Sequence, residues 1–156
     1  IGTIRTLTPT SVTRTPGTLA NNKRKSRVAA LQFLYELDSS EHNLETVLST
    51  YPDDIALPKT VRAFSRNLVV GVLAHREEID KIIETFAPSW PVHQMATVDR
   101  NILRIAIYEI RFGGSTPPKV AINEAVEIAK IFGADGTPKF VNGVLGSVME
   151  EVKETL

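Results

Sequence analysis

The fold of this 156-residue chain is decided by residues 97–110, which read TVDRNILRIAIYEI. Apolar side chains occupy almost the whole circumference of a helix here, at Val98, Ile102, Leu103, Ile105, Ala106, Ile107, Tyr108 and Ile110. A helix that is apolar on most sides is buried on most sides. The segment therefore predicts a central helix. Gly113-Gly114 predicts its end, because glycine adopts the left-handed C-cap conformation without steric penalty.

Apolar residues at spacings of three and four predict further helices on both sides of this segment. We expect them to begin near Asn22, Leu44, Pro58, Pro117 and Thr137. The helix from Pro58 is expected to continue to Phe86, and Gly143 and Gly146 are expected to permit close helix contact. No stretch shows the period-two alternation of a half-buried strand. The sequence predicts an all-α fold of about six to seven helices within a single compact domain.

Composition excludes several protein classes. The chain is 42% hydrophobic and 23% charged, as in ordinary globular domains, and it has no cysteine for a disulfide or a thiol nucleophile. The longest apolar run, residues 68–74, is too short to span a membrane, and no signal peptide is recognisable. We expect a cytoplasmic protein with no membrane association. Residues 1–21 are rich in Thr and Pro and predict an N-terminal arm, and residues 22–156 predict the helical domain.

The sequence lacks the motifs of common enzymes. His42, His75 and His93 are isolated, and no HExxH, GxGxxG or GxxxxGK[ST] pattern occurs. The turn at residues 133–137 precedes a helix and could bind one phosphate, although a plain connection between helices explains it as well. We expect no catalytic residue, no metal site and no cofactor.

Charge is distributed unevenly along the chain. Residues 1–35 hold six basic residues and no acidic one, whereas the rest holds 12 basic and 18 acidic residues. Four of the cations are Lys23, Arg24, Lys25 and Arg27, at the predicted start of the first helix. Cations at a helix N-terminus oppose the helix dipole, and such local conflicts are typical of functional sites. The phosphates of a nucleic acid would supply the missing negative charge.

An aromatic residue follows this basic cluster at helical spacing. Arg24, Arg27, Leu31 and Tyr35 are separated by three, four and four residues, so they share one helix face. Single-stranded RNA is commonly bound by cations beside an aromatic ring on which a base stacks. Two interpretations fit: Arg24 and Arg27 contact RNA phosphates with Tyr35 against a base, or the cluster is a solvated terminus with Tyr35 in the core.

Three segments resemble the NusB family of bacterial transcription antitermination factors. They are residues 98–109 (VDRNILRIAIYE), 119–130 (KVAINEAVEIAK) and 139–146 (KFVNGVLG). Shorter similarities extend the resemblance to nearly the whole chain beyond the Thr/Pro-rich arm, which has no recognised counterpart.

The resemblance implies a non-enzymatic protein of two helical bundles. It implies pairing with a small-subunit ribosomal protein, called NusE in this role, and binding of boxA RNA in nascent rRNA transcripts. Other Nus factors and RNA polymerase would then be engaged indirectly. The family resemblance assigns RNA contacts to Lys23, Arg24, Lys25, Arg27 and Tyr35, and to Lys139 and Phe140 after a loop near the same RNA. It is compatible with a monomer and with a homodimer.

Two other classes of protein remain to be distinguished. The same helical domain resembles the N-terminal domain of a bacterial rRNA cytosine methyltransferase, but no glycine-rich cofactor loop follows before Leu156. A helical adaptor without RNA binding is the third interpretation.

The basic cluster is richer in lysine than the family pattern, and lysine lacks the bidentate geometry of arginine.

Overall fold

The computed structural model describes Leu7, Leu19–Ser39 and residues 58–155. These residues contain six α-helices and no strand: α1 Leu19–Ser39, α2 Lys59–Ala74, α3 Arg76–Phe86, α4 Thr97–Tyr108, α5 Pro118–Phe132 and α6 Thr137–Thr155. A short 3-10 turn, Val92–Gln94, precedes α4. The predicted all-α class is confirmed. The helix expected around Leu44 lies outside the described residues.

Helix α4 occupies the centre of the fold, as its sequence predicts. It packs against each of the other five helices. Leu103 and Ile107 are completely buried, and the polar side chains of Asn101 and Arg104 are also buried. Helices α1 and α2 pack against each other, and so do α5 and α6. The two helix pairs therefore share α4 as their common core element.

The helix expected from Pro58 to Phe86 is broken, and that prediction is wrong. The backbone departs from helical geometry at His75, with φ −112° and ψ 15°, and α3 starts at the next residue. The His75 ring stacks on Phe112, with 4.2 Å between ring centroids. Val72 and Ile79, on either side of the break, are both fully buried. The spacing of apolar residues did not reveal the break, because the apolar residues of α2 and α3 keep one continuous helical spacing across it.

Helix α1 begins at Leu19, three residues before the predicted start at Asn22. The basic cluster therefore lies in the second turn, where the field of the helix dipole has already weakened. The predicted conflict with the dipole is smaller than the sequence indicated. Leu7, within the predicted arm, is half-buried and packs against the hydrophobic core.

The close helix contact occurs at a different glycine from those expected. A Cβ atom built on Gly143 or Gly146 would meet nothing within 4 Å, so neither glycine allows a close approach. At Gly71 the same atom would lie 2.2 Å from Cζ of Tyr108. Gly71 is therefore the position where α2 needs glycine to pack against the end of α4.

The end of α4 is confirmed at the predicted glycine pair. Beyond Tyr108 the helix continues as a π-helical turn, Glu109–Gly113. Gly114 follows with φ +73°, the left-handed conformation that favours glycine. This wide turn brings Glu109 into the interior, where its side chain is almost completely buried.

Candidate nucleic-acid interface

Two lysines of the basic cluster are exposed on the second turn of α1. Lys23 and Lys25 both point their side chains toward solvent. The ammonium group of Lys23 lies over the ring of Phe64 on α2, with Nζ 5.7 Å from the ring centroid. A cation–π contact of this kind stabilises the position of the charge without neutralising it. Lys23 and Lys25 therefore supply accessible positive charge.

Arg27 lies in the protein interior, contrary to the sequence-based assignment of an RNA contact. Its side chain is 3% exposed and forms an ion pair with Glu109, whose side chain is equally buried. The Nε atom donates to Oε2 at 3.0 Å and Nη2 donates to Oε1 at 2.9 Å. The hydroxyl of Thr116 also donates to Glu109, at 2.9 Å. In this structure Arg27 joins α1 to the end of α4 and does not face solvent.

Arg24 is only partly accessible because it is paired with a glutamate of α5. Nε and Nη2 donate to the two oxygens of Glu124 at 2.8 and 3.1 Å, and 27% of the Arg24 side chain is exposed. The hydrogen bonds to Glu124 raise the pKa of Arg24. Desolvation opposes this change, and the charges of Glu124 and Glu127 add to it. A phosphate at Arg24 would share the guanidinium with a carboxylate already bound to it.

The predicted face from Arg24 to Tyr35 does not form one surface. Leu31, midway between them, is completely buried. Tyr35 is half-buried, and it lies about 16 Å along the helix axis from Arg24 at 1.5 Å per residue. A base stacked on Tyr35 would therefore be several nucleotides away from a phosphate at the basic cluster.

Lys139 and Phe140 lie in the first turn of α6. Lys139 is exposed and Phe140 is half-buried. The Phe140 ring lies 5.1 Å from the ring of Trp90, measured between centroids, with the planes inclined by 52°. Trp90 was absent from the residues that the sequence assigned to the site. The local signal was present, since the single tryptophan stands between Pro88 and Pro91 in a connection between helices.

The turn before Lys139 is held by a buried carboxylate. Thr137 Oγ1 accepts a hydrogen bond from the Ala134 N–H at 3.1 Å and donates one to Asp99 at 3.0 Å. Burial raises the pKa of Asp99, and the hydrogen bond from Thr137 offsets part of this rise. These contacts attach the start of α6 to the first turn of α4 and fix the position of Lys139 and Phe140.

The outer face of α5 lies between the basic cluster and Lys139. Arg24 binds Glu124 on this helix, while Asn123 and Glu127 line a surface depression together with Lys139. Positive groups thus flank a face that carries two carboxylates. The candidate interface therefore contains cations, carboxylates and aromatic rings side by side.

No group of three or more His, Cys, Asp or Glu side chains among the described residues could hold a metal ion. None of the helices in the same part of the chain is long and apolar enough to cross a membrane.

Sequence comparison relates this architecture to characterised proteins. The model of the NusB family matches residues 24–150. The transcription antitermination protein NusB of Chloroflexus aggregans is 46% identical over 133 residues, which span 84% of this chain and 89% of that protein. The protein of the same name from a Roseiflexus strain is 45% identical over 138 residues, which span 87% of this chain and 97% of that protein.

Solved structures share both sequence and fold with the chain. NusB of Thermotoga maritima superposes with a TM-score of 0.76 at 31% identity, covering 89% of this chain and 94% of that one. A complex of the antitermination factors NusB and NusE with dsRNA contains a chain that superposes with a TM-score of 0.74 at 27% identity, covering 84% and 98%. The chain therefore belongs to the NusB family, the family of the transcription antitermination proteins named above.

Proposed function

We propose that this protein is a non-enzymatic transcription antitermination factor that pairs with the ribosomal protein NusE and binds boxA-like RNA. The observation that carries the proposal is the exposed pair Lys23 and Lys25 on a NusB-type helical fold. A related chain of this fold occurs in a complex of NusB and NusE with dsRNA. Other Nus factors and RNA polymerase would be engaged through this assembly, in the cytoplasm.

Lys23 and Lys25 are proposed as the principal phosphate contacts, because both are exposed and stand on one turn of α1. Arg24 adds a third contact when a phosphate approaches its exposed edge beside Glu124. Arg27 acts as a positioning residue: its ion pair with Glu109 holds α1 against α4, so that the lysines stay on the surface. Electrostatic contacts of this kind bind RNA without reading its sequence.

Base contacts are proposed at the aromatic residues. Tyr35 is half-buried, and Phe140 stands beside the exposed Lys139. Aromatic rings next to cations bind single-stranded RNA by stacking. The separation of Tyr35 from the basic cluster suits an extended RNA strand that runs along α1.

The rival interpretation, a helical domain of an rRNA methyltransferase, receives less support. The Chloroflexus and Roseiflexus relatives are antitermination proteins, and the matched segments span about nine-tenths of their lengths. Those relatives leave no room for an additional catalytic domain. A homodimer that covers the RNA surface would be an inactive state of the same antitermination factor.

The proposal is tested by titrating boxA-like RNA, with NusE present, at several salt concentrations. Each phosphate contact to single-stranded RNA contributes about 0.7 to the slope of log K against log salt. We expect Lys23→Ala and Lys25→Ala each to reduce the slope by about that amount. Lys81→Ala, an exposed lysine on α3, is the matched control and should leave the slope unchanged. Wild-type slopes for both α1 variants would remove the basic cluster from the RNA site.

A further inference from the structure

We propose that Trp90, in the turn between α3 and α4, is a base-stacking residue for single-stranded RNA, acting together with Phe140 of α6. This inference rests on the proposed RNA-binding function and extends its surface to a residue that the basic cluster does not contain. Three features support it: the exposure of the ring, the rigidity of its backbone, and the groups that surround it.

The exposed fraction of the Trp90 side chain is unusually high for such a large apolar residue. The side chain is 40% exposed, and only two other large hydrophobic residues among the described ones, Val70 and Val120, are exposed to a similar extent. Tryptophan has the largest apolar surface of any side chain and usually buries most of it. The exposed part of the indole is available to a ligand.

The turn that carries Trp90 is held in place from several directions. Pro88 and Pro91 restrict the backbone on both sides. The Trp90 N–H donates to the carbonyl of Ala87 at 3.1 Å. Nη1 of Arg100 donates to the carbonyl of His93 at 3.2 Å, just beyond the second proline. The ring is therefore presented to solvent by a constrained turn, which lowers the entropy lost when a ligand stacks on it.

Arg100 connects this turn to the rest of the fold. Its Nε donates to Asp38 at 2.6 Å, at the end of α1, while Nη1 also approaches the carbonyl of Val92 at 3.4 Å. The turn is thus fixed to α4 and α1 at once. The position of the indole therefore depends on the packing of α1, α4 and the turn against one another.

The surroundings of Trp90 favour a nucleic acid over an apolar protein surface. Phe140 lies 5.1 Å away at an inclination of 52°, so the two rings form an open angle that can contact one base or two successive bases. Lys139 precedes Phe140 and is exposed, and His93 is exposed on the same turn as the indole. Aromatic platforms beside cations are the usual means of binding single-stranded RNA.

The test uses the fact that Trp90 is the single tryptophan of the chain. A short fluorescein-labelled boxA-like RNA is titrated into the full chain with a tryptophan-free variant of NusE. RNA binding is read from fluorescein anisotropy and the environment of Trp90 from its own emission. We expect the Trp90 emission to be quenched with the same midpoint as the anisotropy change.

The variants separate stacking from charge. Trp90→Ala should weaken RNA binding by about 5- to 150-fold with an unchanged salt slope, because one stacked base is lost. Trp90→Phe should keep most of the affinity, since a ring remains. Val70→Ala, a matched exposed apolar residue on α2, should have no effect on RNA binding. Thermal unfolding of each variant verifies that the fold is intact.

Each outcome decides the inference. If RNA binds, but the Trp90 emission does not change and Trp90→Ala binds normally, the stacking role is overturned while the proposed function stands. If Trp90→Ala weakens the binding of NusE measured without RNA, the indole belongs to a protein interface and the inference is also overturned. If the wild-type complex does not bind RNA at all, the proposed function itself fails.

Discussion

Removing the guanidinium group of Arg27 tests whether this residue stabilises the fold or contacts RNA. The change is Arg27→Ala, which leaves the carboxylate of Glu109 buried without its cation. Loss of one partner from a buried ion pair typically costs about 3–5 kcal/mol, because the remaining charge is uncompensated. We expect the lower half of that range, because the hydroxyl of Thr116 still donates to Glu109.

The assay is urea unfolding followed by circular dichroism. A loss of about 3–4 kcal/mol should lower the midpoint without changing the m-value, since the surface exposed on unfolding is nearly the same. For a chain of this size the melting temperature should fall by roughly 10 °C, at about 3 °C per kcal/mol. Arg24→Ala is the matched control, and it should cost only about 1 kcal/mol because its pair with Glu124 is partly exposed.

A double variant isolates the charge pair from the packing around it. Arg27→Met combined with Glu109→Leu replaces both ions by apolar side chains of similar length. Such replacements of buried pairs are often neutral or stabilising. We expect the double variant to be more stable than Arg27→Ala and to bind boxA-like RNA as tightly as the wild type. Full stability of Arg27→Ala together with lost RNA affinity would refute the structural assignment.

Three further predictions follow from packing and burial. Gly71→Ala should destabilise the fold by about 1–3 kcal/mol in urea unfolding, because its Cβ would overlap the ring of Tyr108, whereas Gly143→Ala should stabilise it by about 0.5–1 kcal/mol. Burial raises the pKa of Asp38, but hydrogen bonds from neighbouring side chains outweigh it and leave the pKa below the ordinary value of 3.8. The stability that Asp38 contributes should be lost as the pH falls below 3.8, and Asp38→Asn should abolish that dependence in acid-unfolding curves. The pKa of Asp99 is raised above 3.8 by burial, so the folded state holds its proton longer than the unfolded chain. Stability should therefore decline as the pH rises from 3.8 through the folded pKa, and Asp99→Asn should remove this decline.

The fold could be predicted largely from local patterns. Residues 97–110 alone identified the central helix, because their apolar side chains cover most of the circumference of a helix of that length. Prolines and glycines marked several helix boundaries, and Gly114 adopts the left-handed conformation that its position required. The break at His75 escaped prediction because it preserves the phase of the apolar stripe. A stacking partner 37 residues later, Phe112, is invisible to local spacing.

The burial and pairing of the predicted site residues could not be foreseen, because ion pairing is a tertiary property. The four cations at residues 23–27 look alike in sequence, yet Arg27 pairs with a residue 82 positions away and Arg24 with one 100 positions away. A partial signal existed in the central helix. Glu109 stands at the end of a segment expected to be buried, and a buried carboxylate needs a partner. The sequence could not say which cation supplies it.

These pairings change the electrostatics expected of the RNA surface. If all four cations contacted phosphates, the cluster would contribute about 2.8 to the salt slope for single-stranded RNA, at about 0.7 per contact. With Arg27 buried, the two exposed lysines contribute about 1.4, and Arg24 adds about 0.7 where a phosphate reaches its exposed edge beside Glu124. The rest of the affinity is then expected to come from Lys139, from stacking on the aromatic rings and from the protein partner. A measured slope near 2.8 lost on removing the cluster would mean that RNA displaces Glu124 and Glu109 from their arginines.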